Sequence, residues 1–242
     1  MDEFTLPAVL HARLADQGSP DRADGERRYL RSELTHLGVR MPVLRRVTQQ
    51  LLREHPLALP RRLALVEELW RQPVYELRRA AVHVLERSSD ELDTSHLALI
   101  QRLLGQARTW ALVDPLATVV TGSILARQPA ARRVLDHWIT DDDFWIRRAA
   151  LLAQLGPLRE DTGPETFEAF ATYADRVLDE REFFIRKAIG WVLREVGRRN
   201  ATLVVAWLTP RTHRASGVTM REAVKYLPPD DARDLMNAYR SS

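Results

Sequence analysis

The sequence predicts an all-α fold, an α-solenoid built as a stack of helical hairpins. Three observations predict it. A short motif recurs along the chain, apolar residues fall at helical intervals, and prolines sit in the gaps between those segments. The motif appears when the chain is laid against itself. Tyr75-Glu76-Leu77-Arg78-Arg79-Ala80-Ala81 resembles Phe144-Trp145-Ile146-Arg147-Arg148-Ala149-Ala150, and both resemble Phe183-Phe184-Ile185-Arg186-Lys187-Ala188-Ile189. A fourth copy, Trp110-Ala111-Leu112-Val113-Asp114-Pro115-Leu116, fits between the first two. In this register Arg79, Asp114, Arg148 and Lys187 are equivalent positions, and extending the frame outward reaches Arg45 and Glu222. The repeat length is roughly 34 to 39 residues, that of a two-helix solenoid unit burying its apolar face against its neighbours.

Each element then follows in order. One N-terminal helix leads into the polar, turn-rich stretch from Asp16 to Gly25, which reads as a loop; helix and loop occupy residues 1–27. The matched helices begin near Pro42, Val74, Trp110, Asp143, Glu182 and Thr219. Their partners read as 60–71, 95–106, 129–139, 165–179 and 201–208. Segments such as Leu63-Ala64-Leu65-Val66-Glu67-Glu68-Leu69-Trp70 place apolar residues at helical spacing, and no alternating strand pattern competes. Prolines at 56, 60, 73, 129, 157, 164 and 210 fall between segments, where a missing amide does not weaken a helix. An apolar content of 45% over 242 residues suffices for one continuous core, so the whole of 1–242 reads as a single domain. Trp70, Trp138 and Trp207 are expected in that core.

Composition bounds function loosely. Lys and Arg number 36 against 33 Asp and Glu, a net charge of +3, which does not by itself imply nucleic acid. Met1-Asp2-Glu3-Phe4 carries acid where a secretory leader would be basic, and no apolar run approaches membrane-spanning length. A soluble cytoplasmic protein is the expectation, with no membrane partner. The absence of cysteine excludes disulfides and thiolate catalysis. The histidines at 11, 36, 55, 83, 96, 137 and 213 show no metal-ligand spacing, so no metal and no cofactor is expected. Asp141-Asp142-Asp143, just before Phe144, is better explained by helix capping than by metal binding.

The chemistry concentrates at the repeated position. Trp110 and Asp114, four apart, share one helix face, and Phe183, Lys187 and Trp191 form the same kind of line later. Equivalent residues of stacked repeats form a ladder, so Arg79, Arg148 and Lys187 would make a basic rail on a concave surface, with Asp114 as its one acid. An anion there can face a developing positive charge. The alternative is structural: solvated faces, or an aspartate that is only a salt-bridge partner in an arginine ladder.

The motif Trp110 to Asp114, the segment Phe144 to Ala150 and the long run Glu182 to Glu195 together resemble the AlkD-type family of bacterial DNA alkylation-repair glycosylases. Tyr29-Leu30 and Leu37-Gly38-Val39-Arg40-Met41-Pro42 are similar to that family's N-terminal pattern. The resemblance runs from about Tyr29 to about Leu227. It implies HEAT-like repeats and hydrolysis of the N-glycosidic bond of N3- and N7-alkylated purines in double-stranded DNA, without enclosing the damaged base. By it, Asp114 matches the catalytic aspartate, Trp110 and Trp191 the tryptophans flanking the lesion, Arg148 a backbone-contacting arginine, and Tyr29 the tyrosine beside the cleft. Lys187, Arg45 and Arg79 would add phosphate contacts. Some members remove bulky natural-product adducts, so self-resistance enters as an implied role, for a monomer acting at the bacterial nucleoid. The chain departs from familiar members at Thr109 and Ala111, and in Pro115, which should kink or start the helix at Asp114. A non-catalytic scaffold gripping DNA or protein through the same rail is the other reading.

Overall fold

The computed structural model describes residues 6–241, and the acidic stretch Met1 to Phe4 lies outside them. The described residues are helical, apart from turns and one isolated bridge between Thr35 and Val74. The fold class is thus all-α, as the repeat predicts. Helices run in the order α1 (Leu6–Ala15), α2 (Pro20–Leu30), α3 (Met41–Glu54), α4 (Leu59–Arg71), α5 (Tyr75–Arg87), α6 (Leu97–Ala107) and α7 (Trp110–Pro115). There follow α8 (Gly122–Arg127), α9 (Arg132–Trp138), α10 (Phe144–Ala153), α11 (Leu155–Glu160), α12 (Pro164–Val177), α13 (Phe183–Gly197), α14 (Ala201–Leu208), α15 (Gly217–Ala223) and α16 (Pro229–Ser241). Contacts group them into two compact units. One holds the described residues up to Leu92 with Arg102–Leu116; the other holds Asp93–Gln101 and the described residues from Ala117 onward.

In the first unit α5 is the central helix, packed against α3, α4 and α7, with α1 laid on α3, α4 and α5. Its residues from Tyr75 to Leu85 are buried apart from half-buried Arg78. The flanking helices are amphipathic. Along α3 the buried positions are Leu44, Val47, Thr48 and Leu51, an i, i+3, i+4, i+7 stripe that removes one face from water. Each Leu or Val so buried contributes on the order of 1.5–3 kcal/mol. Trp70 closes the stripe of α4 and donates its indole N–H to Gln106 at 2.9 Å.

In the second unit α10 packs against α8, α9, α12 and α13, and α13 against α11, α14 and α15. Trp138 and Trp207 are buried here, as their helical spacing predicts. Two contacts need glycine. A Cβ on Gly156 of α11 would stand 2.0 Å from the Gly122 carbonyl oxygen of α8, and one on Gly190 of α13 would stand 2.9 Å from the Thr219 carbonyl oxygen of α15. Gly156→Ala should therefore force α8 and α11 apart, costing on the order of 1–3 kcal/mol as an overpacked contact. A thermal melt reads this as a midpoint several degrees lower, and an unchanged midpoint would show that the two backbones separate freely.

The N-terminal region corrects one expectation. The stretch expected as a loop is folded from Pro20 onward into α2, with Ser19 extended before it, proline in the first turn, Asp21 near the N-terminus and Arg27 and Arg28 in the last turn. Its only buried residue is Leu30, so no apolar stripe announced it.

Candidate active site

Helix α7 carries the motif residues of the first unit. Thr109 enters it in extended conformation, and Trp110 and Asp114 follow one turn apart on one face, both half-buried. Pro115 ends the regular ladder. It has no N–H to offer the Ala111 carbonyl, Leu116 donates to Val113 instead, and Leu116–Thr121 winds into a wider π-helical turn before α8. The kink anticipated at Pro115 is thus a π turn immediately beyond Asp114. Tyr29, near the end of α2, meets Trp110 edge-on, with ring centroids 6.1 Å apart and planes at 89°. Tyr29 is 74% exposed while Trp110 is half-buried, so the pair meets solvent mainly through Tyr29.

The repeated position is not uniform. Arg45 in the first unit and Lys187 in the second are exposed. Arg79 is only 5% exposed; its guanidinium pairs with Glu86 at 3.1 Å, and Glu86 also accepts from His83 at 3.0 Å. Burial pushes the Glu86 carboxyl up, but the His83 hydrogen bond and the Arg79 charge outweigh it and hold the group below its ordinary value. Arg148 is 3% exposed, donates to the Phe184 carbonyl and lies 5.7 Å from that ring's centroid. The expected solvent-facing rail is therefore interrupted. Arg79 and Arg148 have equivalent sequence positions but act inside their units, because an acid in one case and a carbonyl in the other receives the guanidinium.

Within the second unit, α13 brings Phe183, Lys187 and Trp191 into line at four-residue spacing. Phe183 is half exposed, with Lys187 Nζ 5.8 Å from its ring centroid, and Trp191 is half-buried. Glu222, the outermost position of the frame, pairs with Arg194 at 2.5 Å and Lys225 at 2.9 Å. Asp143 caps α10 by accepting the Trp145 N–H at 2.9 Å, the role read from sequence.

Sequence reasoning missed one cluster in the first unit. Donor atoms of Glu26, His36 and Glu76 lie within 4.8 Å of one another, a spacing compatible with a metal ion. Glu76, fully buried, is already engaged: it accepts the N–H groups of Leu37, Gly38 and Val39 at 2.9, 2.7 and 3.1 Å. His36 stacks on Tyr75 at 4.5 Å. The cluster pins the segment leading into α3, and no periodicity could have announced it, since its members come from α2, the irregular segment after it and α5.

The sequence profile of the family described as DNA alkylation repair enzyme matches residues 10–227. The chain belongs to the DNA alkylation repair enzyme family. The chain is also similar to a solved structure titled "Predicted DNA alkylation repair enzyme from Enterococcus faecalis", with a TM-score of 0.77 and 23% sequence identity over 88% of this chain and 98% of that one. At that identity the likeness shows the fold. No curated protein matches the chain in sequence. Family membership supports a role in the repair of alkylated DNA, with DNA as its partner. Among the described residues, no helix is long and apolar enough to cross a membrane.

Proposed function

We propose that this repair enzyme is a monofunctional DNA glycosylase that hydrolyses the N-glycosidic bond of cationic N3- or N7-alkylated purines in double-stranded DNA. The observation that carries the reading is a half-buried carboxylate, Asp114, one helical turn from Trp110, whose ring is met edge-on by exposed Tyr29. Alkylation at N3 or N7 puts a positive charge on the base and makes it a good leaving group, so no strong general acid is required. As the C1′–N bond breaks, its electron pair neutralises the purine and the sugar becomes an oxocarbenium-like cation. Asp114 stabilises that cation and orients the attacking water, whose oxygen bonds to C1′ and whose proton passes to the carboxylate. The products are the free base and an abasic site. The electrostatic logic is that of carboxylates in glycoside hydrolysis.

Trp110 and Tyr29 lie against the cationic nucleotide, where a ring contributes about 1–2 kcal/mol when water is excluded. With Tyr29 exposed and Trp110 half-buried, the reading needs no enclosure of the base and accommodates bulky adducts, including those of natural products. The role of Trp191 as a second flanking ring rests on the sequence resemblance. Lys187 contacts phosphate and forms no Schiff base, so the strand is left uncleaved. The enzyme acts as a monomer in the bacterial cytoplasm.

The test is release of free base from duplex DNA carrying 7-methylguanine, 3-methyladenine or a bulky N3 adduct. No release from any cationic lesion, with tight duplex binding, would leave the non-catalytic scaffold as the correct reading. Lys187→Ala should leave the fold intact and flatten the dependence of log K on log salt by about 0.9, the loss of one phosphate contact. An unaltered slope would remove Lys187 from the interface.

A further inference from the structure

Two non-glycine residues among the described residues have positive φ: Arg31 at 49° and Arg108 at 52°. A residue with a Cβ is disfavoured there, and glycine or asparagine would occupy either position at less cost. Both are arginine, both are exposed, and both line one cleft of about 580 Å³ in the first unit. Arg31 follows α2 as its left-handed cap, and Arg108 turns the chain between α6 and α7. Arg78 contributes a third guanidinium, fixed by donation to the carbonyls of Gln72 and Gln106 and lying 5.4 Å from the centre of the Trp70 ring. Thr109, on the same wall, is 3% exposed, and its Oγ1 has no hydrogen-bond partner. Glu33 is the one acid of the lining.

The position of this cleft gives it meaning. Arg31 and Arg108 are each two residues from a member of the Tyr29–Trp110 pair, and Thr109 directly precedes Trp110. Two tight left-handed turns therefore place arginines from two chain segments in one cleft, each two residues along the chain from one of the paired rings. Guanidinium forks suit phosphate oxygens, and a phosphodiester lies next to any nucleotide held at those rings. We propose that Arg31, Arg78 and Arg108 form a phosphate-binding cleft that grips the DNA backbone beside the nucleotide facing Trp110. The inference rests on the proposed glycosylase reading and names contacts that the repeated ladder does not contain.

The experiment uses the full chain and measures duplex affinity across a salt series, with and without added inorganic phosphate. Arg31→Gly and Arg108→Gly remove the guanidinium while relaxing the backbone, so the folded state is preserved or strengthened. The double variant is expected to bind duplex about tenfold more weakly at fixed salt, with a slope of log K on log salt reduced by about 0.9 for one lost phosphate contact. Base release by the wild-type protein is measured in parallel, so that the cleft and the glycosylase reading are tested separately. Wild-type affinity and slope in the double variant, with base release intact, would overturn the cleft and leave the glycosylase reading standing. Phosphate that binds the wild-type protein at millimolar levels without displacing DNA would show a site for free phosphate and equally overturn it. Failure of the wild-type protein to bind duplex or release base would sink both.

Discussion

Asp114→Asn is expected to lower the release of 7-methylguanine or 3-methyladenine by at least about 10²- to 10³-fold, the loss typical when a preorganised electrostatic contact to a transition state is removed. The change keeps the shape of the side chain and much of its hydrogen-bonding capacity, so α7 and the adjoining π turn should be undisturbed. What disappears is the negative charge that meets the sugar as it becomes cationic, and with it the acceptor for the proton of water. Binding should be nearly unaffected, since affinity for DNA comes from cations at phosphates and from aromatic contact. The pair of measurements is discriminating. Base release lost with duplex affinity retained supports the glycosylase, whereas release at the wild-type rate would remove Asp114 from the chemistry.

The largest expected effect on folding is at Glu76. Its carboxylate collects three backbone N–H groups from Leu37, Gly38 and Val39 in a setting with no solvent exposure. Glu76→Ala would leave those donors buried without an acceptor and His36 beside an empty volume, at a cost of about 3–5 kcal/mol. Glu76→Gln, which keeps one acceptor oxygen, should recover part of that. Urea unfolding would read the difference as a fall in midpoint. Midpoints equal to wild type in both variants would mean that the segment entering α3 is held by other contacts.

Much of the architecture was legible because it is periodic. Helix starts expected near Pro42, Val74, Trp110, Asp143, Glu182 and Thr219 are observed at Met41, Tyr75, Trp110, Phe144, Phe183 and Gly217. Apolar stripes at 3.6-residue spacing and prolines at helix entries carried that information. Helix α2 escaped because it is polar on nearly every side, so turn-forming residues outweighed the proline and acid at its start. The site was legible as an order of residues but not as an environment. Sequence register makes Arg79 and Arg148 equal to Lys187; burial separates them, because Arg79 turns to Glu86 two turns along its own helix while Arg148 reaches Phe184 on the neighbouring α13. Arg31 and Arg108 left no trace either, since nothing in an arginine announces a left-handed backbone.

The unequal burial of the tryptophans has a practical consequence. Trp70, Trp138, Trp145 and Trp207 are sealed inside, while Trp110 and Trp191 remain within reach of water. A small neutral quencher such as acrylamide would dim the emission of these last two and spare the others. The protein thus carries its own optical reporter, and any ligand that covers Trp110 should shield it from the quencher without a dye having to be attached.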